Sequence, residues 1–203
     1  MTVIGILALI SALTLPTFTG MAAERSVDRA IGDLSSMLDQ SRAYAMAYNT
    51  HVWVGLRQIA PSENRGSGIQ IVAVTSNDGS GDPDPAKLVL LNKVYTCRDV
   101  AIVGTAEVPP EALDRPVQGV VALAGSVPAL TFSYPLNGQG EAPPVSFEKV
   151  IEFGPLGEAS IPDGRQQWIE IGLCARAGEV NITGNAAAIQ VSGVTGQSRI
   201  FRQ

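Results

Sequence analysis

The first twenty-three residues, Met1–Ala23, contain no charged side chain, and the next twenty-five repeat apolar residues at helical spacing. The densest apolar part, Val3–Leu15, is short against the roughly 20 predominantly apolar residues that cross a bilayer as a helix. Extending it to Ala23 supplies the length, although Thr14, Thr17 and Thr19 dilute it. Behind it, Val27, Ile31, Leu34, Leu38, Ala45 and Tyr48 recur at spacings of three, four and seven, with Ser41 a weak member. Glu24, Arg25, Asp28, Arg29, Asp33, Asp39 and Arg42 fill the other faces, as in an amphipathic helix. Only Gly32 interrupts this stretch, and Asn49 is a stop signal before the β-like run at His51–Val54. Pro16 kinks such a helix rather than ending it, because the pattern resumes behind it.

Three readings of the first segment compete. A cleaved signal peptide needs a basic start, and no Lys or Arg precedes Val3, although Met21-Ala22-Ala23 offers a small-residue cleavage site. A simple membrane anchor is the second. The third is one continuous helix from Thr2 to Tyr48, about 70 Å long at 1.5 Å per residue. The amphipathic continuation favours the third. It divides the chain into a transmembrane half-helix at 1–23, an amphipathic half at 24–48 and a head at 49–203.

From Thr50 onward strand signals dominate. Val52–Leu56, Ile69–Val74, Leu88–Leu91, Val100–Val103, Ala129–Tyr134, Phe147–Phe153, Gln167–Leu173, Ala187–Val191 and Ser198–Arg202 are apolar or alternating runs. Turn signals at Pro61, Asn77–Pro85, Pro109-Pro110, Asn137-Gly138 and Ser192–Gln197 separate them. The expected class is α+β: a long N-terminal helix, membrane-spanning and then amphipathic, followed by an antiparallel sheet or sandwich.

Composition excludes several functions. Fourteen Lys+Arg against nineteen Asp+Glu give a formal charge of −5, which argues against general nucleic-acid binding. One histidine, His51, and two cysteines, Cys97 and Cys174, leave no zinc cluster. Neither a phosphate-binding glycine loop nor a G-x-S-x-G nucleophile turn occurs. The sequence does not read as an enzyme.

An apolar run ending in Leu15-Pro16, a polar turn and an amphipathic helix feeding a β-rich head together resemble a type IV pilin or a type II secretion pseudopilin. Ser41–Thr50 followed by His51–Val54 is similar to the helix end and first strand of minor pseudopilins of the H type, and Ala187–Arg202 to their last hairpin. The likeness covers the first fifty or so residues and the last fifteen. The family's processing signal, a basic leader ending in Gly with a Glu shortly after, is missing from the sequence. Aligned on Leu15-Pro16, that Glu falls two residues before Met1, so the expectation is a miscalled start or a truncated chain.

The resemblance implies a non-catalytic filament subunit with its head in the periplasm and a single pass through the bacterial inner membrane. Its partners would be other pseudopilins or pilins, the inner-membrane assembly platform and the lipid bilayer. Ile4, Leu7, Ile10 and Leu15 would hold the unassembled subunit in lipid and pack on neighbouring helices in the filament. Pro16 and Gly20 would permit a bend there. Two alternatives stay open. One is an anchored or secreted β-sandwich binding module, with a helix that breaks near Ala23 and an open apolar or aromatic groove, although Trp53 and Trp168, the two residues that could stack on sugars, lie in strand patterns that read as core. The other is a DNA-uptake minor pilin, which needs a basic groove that a charge of −5 does not promise; Arg199 and Arg202 make a small basic end, for which strand-edge charges that discourage aggregation are the favoured reading.

Three further residue sets are candidates. Cys97 and Cys174 are 77 residues apart. A disulfide between them would stabilise by about 4.5 kcal/mol in the chain-entropy model; two buried free thiols are the other reading. Asp78, Asp82 and Asp84 lie on a glycine-rich loop and are hard oxygen donors of the kind calcium takes. Major pseudopilins bind calcium in their heads, but no Glu closes an EF-hand pattern here, and a solvated acidic turn is the favoured reading. No other cofactor is expected. His51, without an identified partner, reads as structural.

Overall fold

The computed structural model describes residues 2–60, 67–108, 115–123, 130–133, 144–162 and 164–202, with helix side chains described from Arg25 onward. Among the described residues one α-helix, α1 (Thr2–Tyr48), precedes thirteen strands. Its described face buries Val27, Ala30, Ile31, Leu34, Met37, Leu38, Ser41 and Ala45. That face is the 3–4 stripe of the sequence, widened by Ala30 and Met37. Tyr48 departs from the stripe: it is 67% exposed and stacks on Tyr44 with centroids 4.3 Å apart. The helix ends where Asn49 turns left-handed (φ 51°) and the Thr50 amide donates to the Ala45 carbonyl at 3.1 Å, a residue type that tolerates this conformation at helix ends.

Sheet A runs in the order β10 (Ala159–Ser160), β9 (Lys149–Phe153), β1 (Val52–Ile59), β2 (Gly68–Ser76) and β3 (Leu88–Leu90), and β4 (Tyr95–Arg98) also pairs with β2. All these pairs are antiparallel; β1 and β2 are in register from Val52 opposite Thr75 to Ile59 opposite Gly68. Sheet B runs β13 (Ser198–Arg202), β12 (Val180–Ser192), β11 (Trp168–Ala177) and β5 (Val100–Val103). A short β6 (Val120–Ala122) lies parallel to the start of β11. Sheet C is the pair β7 (Leu130–Ser133) and β8 (Pro144–Phe147).

Alternation decides which side chains meet. Val52, Val54 and Leu56 of sheet A and Ile169, Ile171 and Leu173 of sheet B point into one core shared with the helix stripe. The opposite face of sheet A, with Trp53, Val72, Val74 and Val150, is covered by Leu130, Phe132, Val145 and Phe147 of sheet C. Sheet A is thus packed on both faces, which is why all nine residues of β2 are buried and its run shows no polar alternation. Gly55 permits the close approach, since a Cβ there would stand 2.8 Å from Cβ of Phe147. The outer face of sheet B packs Ala101, Val103, Cys174, Ala186 and Ala188 under Val108.

Two sequence expectations are corrected here. The α+β class with a membrane-spanning half-helix gives way to a mainly antiparallel β molecule, in which strands make up about half of the residues. Among the described residues no helix is long and apolar enough to cross a membrane. The described part of α1 carries Arg25, Asp28, Arg29, Asp39 and other polar side chains on its exposed face, which would be costly in hydrocarbon and which agrees with the amphipathic half expected at 24–48. The single-pass inner-membrane location and the transmembrane and prepilin labels lose their support with it. Ile4, Leu7, Ile10, Leu15 and Pro16, as side chains, and the turn signals at Pro61, Pro109-Pro110 and Asn137-Gly138 lie outside the described residues.

Candidate functional site

A concavity sits on the outer face of sheet A. Trp53, Val150 and Glu152 come from adjacent strands β1 and β9, and Leu130 from β7 closes one side. Gly81 and Pro83 of the Asn77–Pro85 loop and Pro162 complete the wall of a cavity of about 210 Å³. Trp53 and Glu152 are direct cross-strand partners, so the indole and the carboxylate are placed side by side by sheet register alone. His51 lies two residues before Trp53. Its Nδ1 is 2.6 Å from Oε1 of Glu152, and its ring is nearly parallel to the indole, with centroids 6.2 Å apart. The single histidine therefore has a partner, 101 residues away in sequence. Both side chains keep roughly a quarter to a third of their surface exposed, at 27% and 29%.

The loop bordering this cavity is internally organised. The Asp78 carboxylate accepts from the Ser76 hydroxyl and the Ser80 amide and forms an ion pair with Lys87 at 2.8 Å. The Lys87 ammonium and these hydrogen bonds hold the Asp78 carboxyl far below the ordinary carboxylate range. Asp84 accepts from the Ala86 amide at 3.0 Å. The three candidate calcium ligands are thus placed on one loop, but Asp78 and Asp84 are already engaged in shaping it. Among the described residues no group of three or more His, Cys, Asp or Glu could hold a metal ion.

Cys97 and Cys174 are both free and buried. Cys97 on β4 faces the helix core, whereas Cys174 on β11 faces the opposite side of sheet B. The structure does not bring them to a shared core. Burial pushes both thiols up to about 11, so little thiolate forms near neutrality. Native protein at pH 8 is expected to leave both unlabelled by a maleimide over minutes, and guanidinium is expected to expose two reactive thiols; mass spectrometry reads the count.

The basic end read at Arg199 and Arg202 is occupied internally. Arg199 stands 5.3 Å from the Trp168 ring centroid, and Arg202 pairs with Asp28 of the helix. Trp53 is 3% exposed and Trp168 half-buried; only Trp53 borders the cavity.

Sequence reasoning missed a second polar cluster, on the outer face of sheet B. Arg115 and Glu170 have no exposed side-chain surface and form a two-pronged pair, Nε to Oε2 at 2.7 Å and Nη2 to Oε1 at 3.0 Å. Nη2 also donates to the Thr105 and Val108 carbonyls. Gln190 of β12 donates to Glu170 and to the Pro116 carbonyl at 2.9 and 2.8 Å. This network pins the segments flanking residues 109–114 to sheet B. It is enclosed and built for holding chain, not for chemistry on a ligand.

Comparison with family models, with curated proteins and with solved structures found no match.

Proposed function

We propose that the chain is a non-catalytic structural subunit of a pseudopilus or type IV pilus-like filament of protein secretion, working through contacts between heads. The observation that carries this reading is an apolar surface beside the helix. Leu156 is 86% exposed, Val194 77% and Met46 39%. Leu156 caps the tight turn Gly154–Gly157, and Val194 caps the Ser192–Gly196 turn. The two turns abut: Gly196 lies against the Gly157 carbonyl, and a Cβ on Gly157 (φ +83°) would stand 2.6 Å from Sδ of Met46. Arg42 clamps the junction, its Nε donating to the Thr195 carbonyl at 2.6 Å. Scattered exposed apolar residues are ordinary, but exposed apolar side chains on two abutting turns and on the helix beside them are suited to a protein partner.

The test is the pair Leu156→Glu and Val194→Glu. Surface changes of this kind alter stability by no more than about 0.5 kcal/mol. Thermal unfolding should stay unchanged, while recovery of the subunit in sheared filaments should fall at least about tenfold, the scale of losing 1.4 kcal/mol of contact. Undiminished incorporation would sink the reading. A second reading, a β-rich binding module, draws on the cavity beside Trp53.

A further inference from the structure

We infer that the Trp53–Glu152 cavity is a receptor for one arginine side chain presented by a partner polypeptide. The inference does not depend on filament assembly. Charge sets the sign of the ligand. Among the described residues Glu152 is the charged residue of the lining, and the adjoining loop carries Asp82 and Asp84, while its one lysine, Lys87, is paired with Asp78. Glu152 uses Oε1 for His51, and among the described residues no hydrogen bond or ion pair engages Oε2. A cation entering the cavity meets that oxygen.

Shape and chemistry select guanidinium. An arginine combines an apolar stem with a flat head that donates in a plane and suits a carboxylate. The cavity offers Leu130, Val150 and two prolines for the stem. It offers the Glu152 carboxylate, 29% exposed, for the head, beside the narrow edge of the buried Trp53 indole that reaches the cavity. Register on β1 and β9 fixes these two groups beside each other, and His51 holds the carboxylate from its other side. Gly81 approaches His51 so closely that a Cβ there would lie 3.2 Å from the ring, which keeps the loop wall against the imidazole. A cavity of about 210 Å³ is of the size of one long side chain rather than a folded segment. The site is therefore organised before the ligand arrives, which lowers the cost of binding.

The experiment uses the full chain labelled with ¹⁵N in its tryptophan indoles, with Trp168→Phe to assign the Trp53 signal. The probes are N-acetyl-arginine amide, the neutral isostere N-acetyl-citrulline amide and N-acetyl-lysine amide. Expected is a saturable shift of the Trp53 indole signal with the arginine probe, at least tenfold weaker binding of citrulline, and weaker binding of lysine. Glu152→Gln should weaken the arginine probe at least tenfold. The arginine–citrulline comparison on the unaltered site decides the case even if that variant folds poorly. No saturable shift, equal binding of citrulline, or lysine binding as tightly as arginine would overturn the proposal.

Discussion

Arg115→Ala is expected to destabilise the protein by about 3–5 kcal/mol, the range for removing one partner of a buried ion pair. For a domain of this size that corresponds to a fall in Tm of roughly 6–20 °C. The cause is what remains. Glu170 is 1% exposed and would keep only the Gln190 amide as a donor, leaving a carboxylate both dry and uncompensated. The Thr105 and Val108 carbonyls would lose their donor as well. Arg115→Lys should fall between, because an ammonium cannot reproduce the fork that meets both carboxylate oxygens. The double variant Arg115→Met with Glu170→Met should recover most of the loss, since no buried charge is then stranded. Thermal unfolding of the four proteins checks the order; a single Arg115→Ala variant as stable as the parent would show that this network does not hold the segment carrying Arg115 to sheet B.

The second large effect lies in the helix. Leu34→Ala and Leu38→Ala should each cost about 2–5 kcal/mol, as for fully buried leucines whose cavity does not close. Both side chains have no exposed surface and sit where the stripe meets the two sheets. Tyr48→Ala, on an exposed ring, should cost far less. Chemical denaturation of the three variants distinguishes a helix that is part of the core from one merely resting on it. Equal, small effects at Leu34, Leu38 and Tyr48 would mean the latter.

These residues also show how much the chain discloses before folding. The helix stripe was legible because burial on one face imposes a 3–4 spacing, and Val27, Ile31, Leu34, Leu38 and Ala45 satisfy it. Tyr48 fits the spacing and fails, because the helix ends there and the core does not reach that far. The long strands were legible for the same reason, through alternation in Trp168–Leu173 and the apolar run of β2. Strands β4, β6 and β10 were not, being four, three and two residues long and held by partners rather than by their own pattern. The run Phe147–Phe153 reads as one strand, yet the chain passes from sheet C to sheet A at exposed Glu148. Nothing in a one-dimensional pattern reports that crossing.

The sites were harder still. His51 and Trp53 sit two apart and so share a strand face, a signal that was available. Glu152 was unreadable, since its partnership with both depends on β9 returning beside β1 nearly a hundred residues later. Glu170 looked like the solvent face of an alternating strand. Only the segment carrying Arg115, folded over that face, makes it a buried anion. The membrane assignment weighed an uncharged stretch, Met1–Ala23, whose side chains lie outside the described residues; among the described residues no helix is long and apolar enough to cross a membrane, and the molecule is built mainly of sheets.

The proposed role is tested most directly by placing a photo-reactive amino acid at position 156, where the parent leucine is exposed on a rigid turn, and irradiating cells while they secrete. Adducts to other filament subunits, identified by mass spectrometry and lost when the major filament subunit is deleted, are the predicted result. Position 156 yielding no adduct, or the same adducts whether or not a filament can assemble, would contradict it.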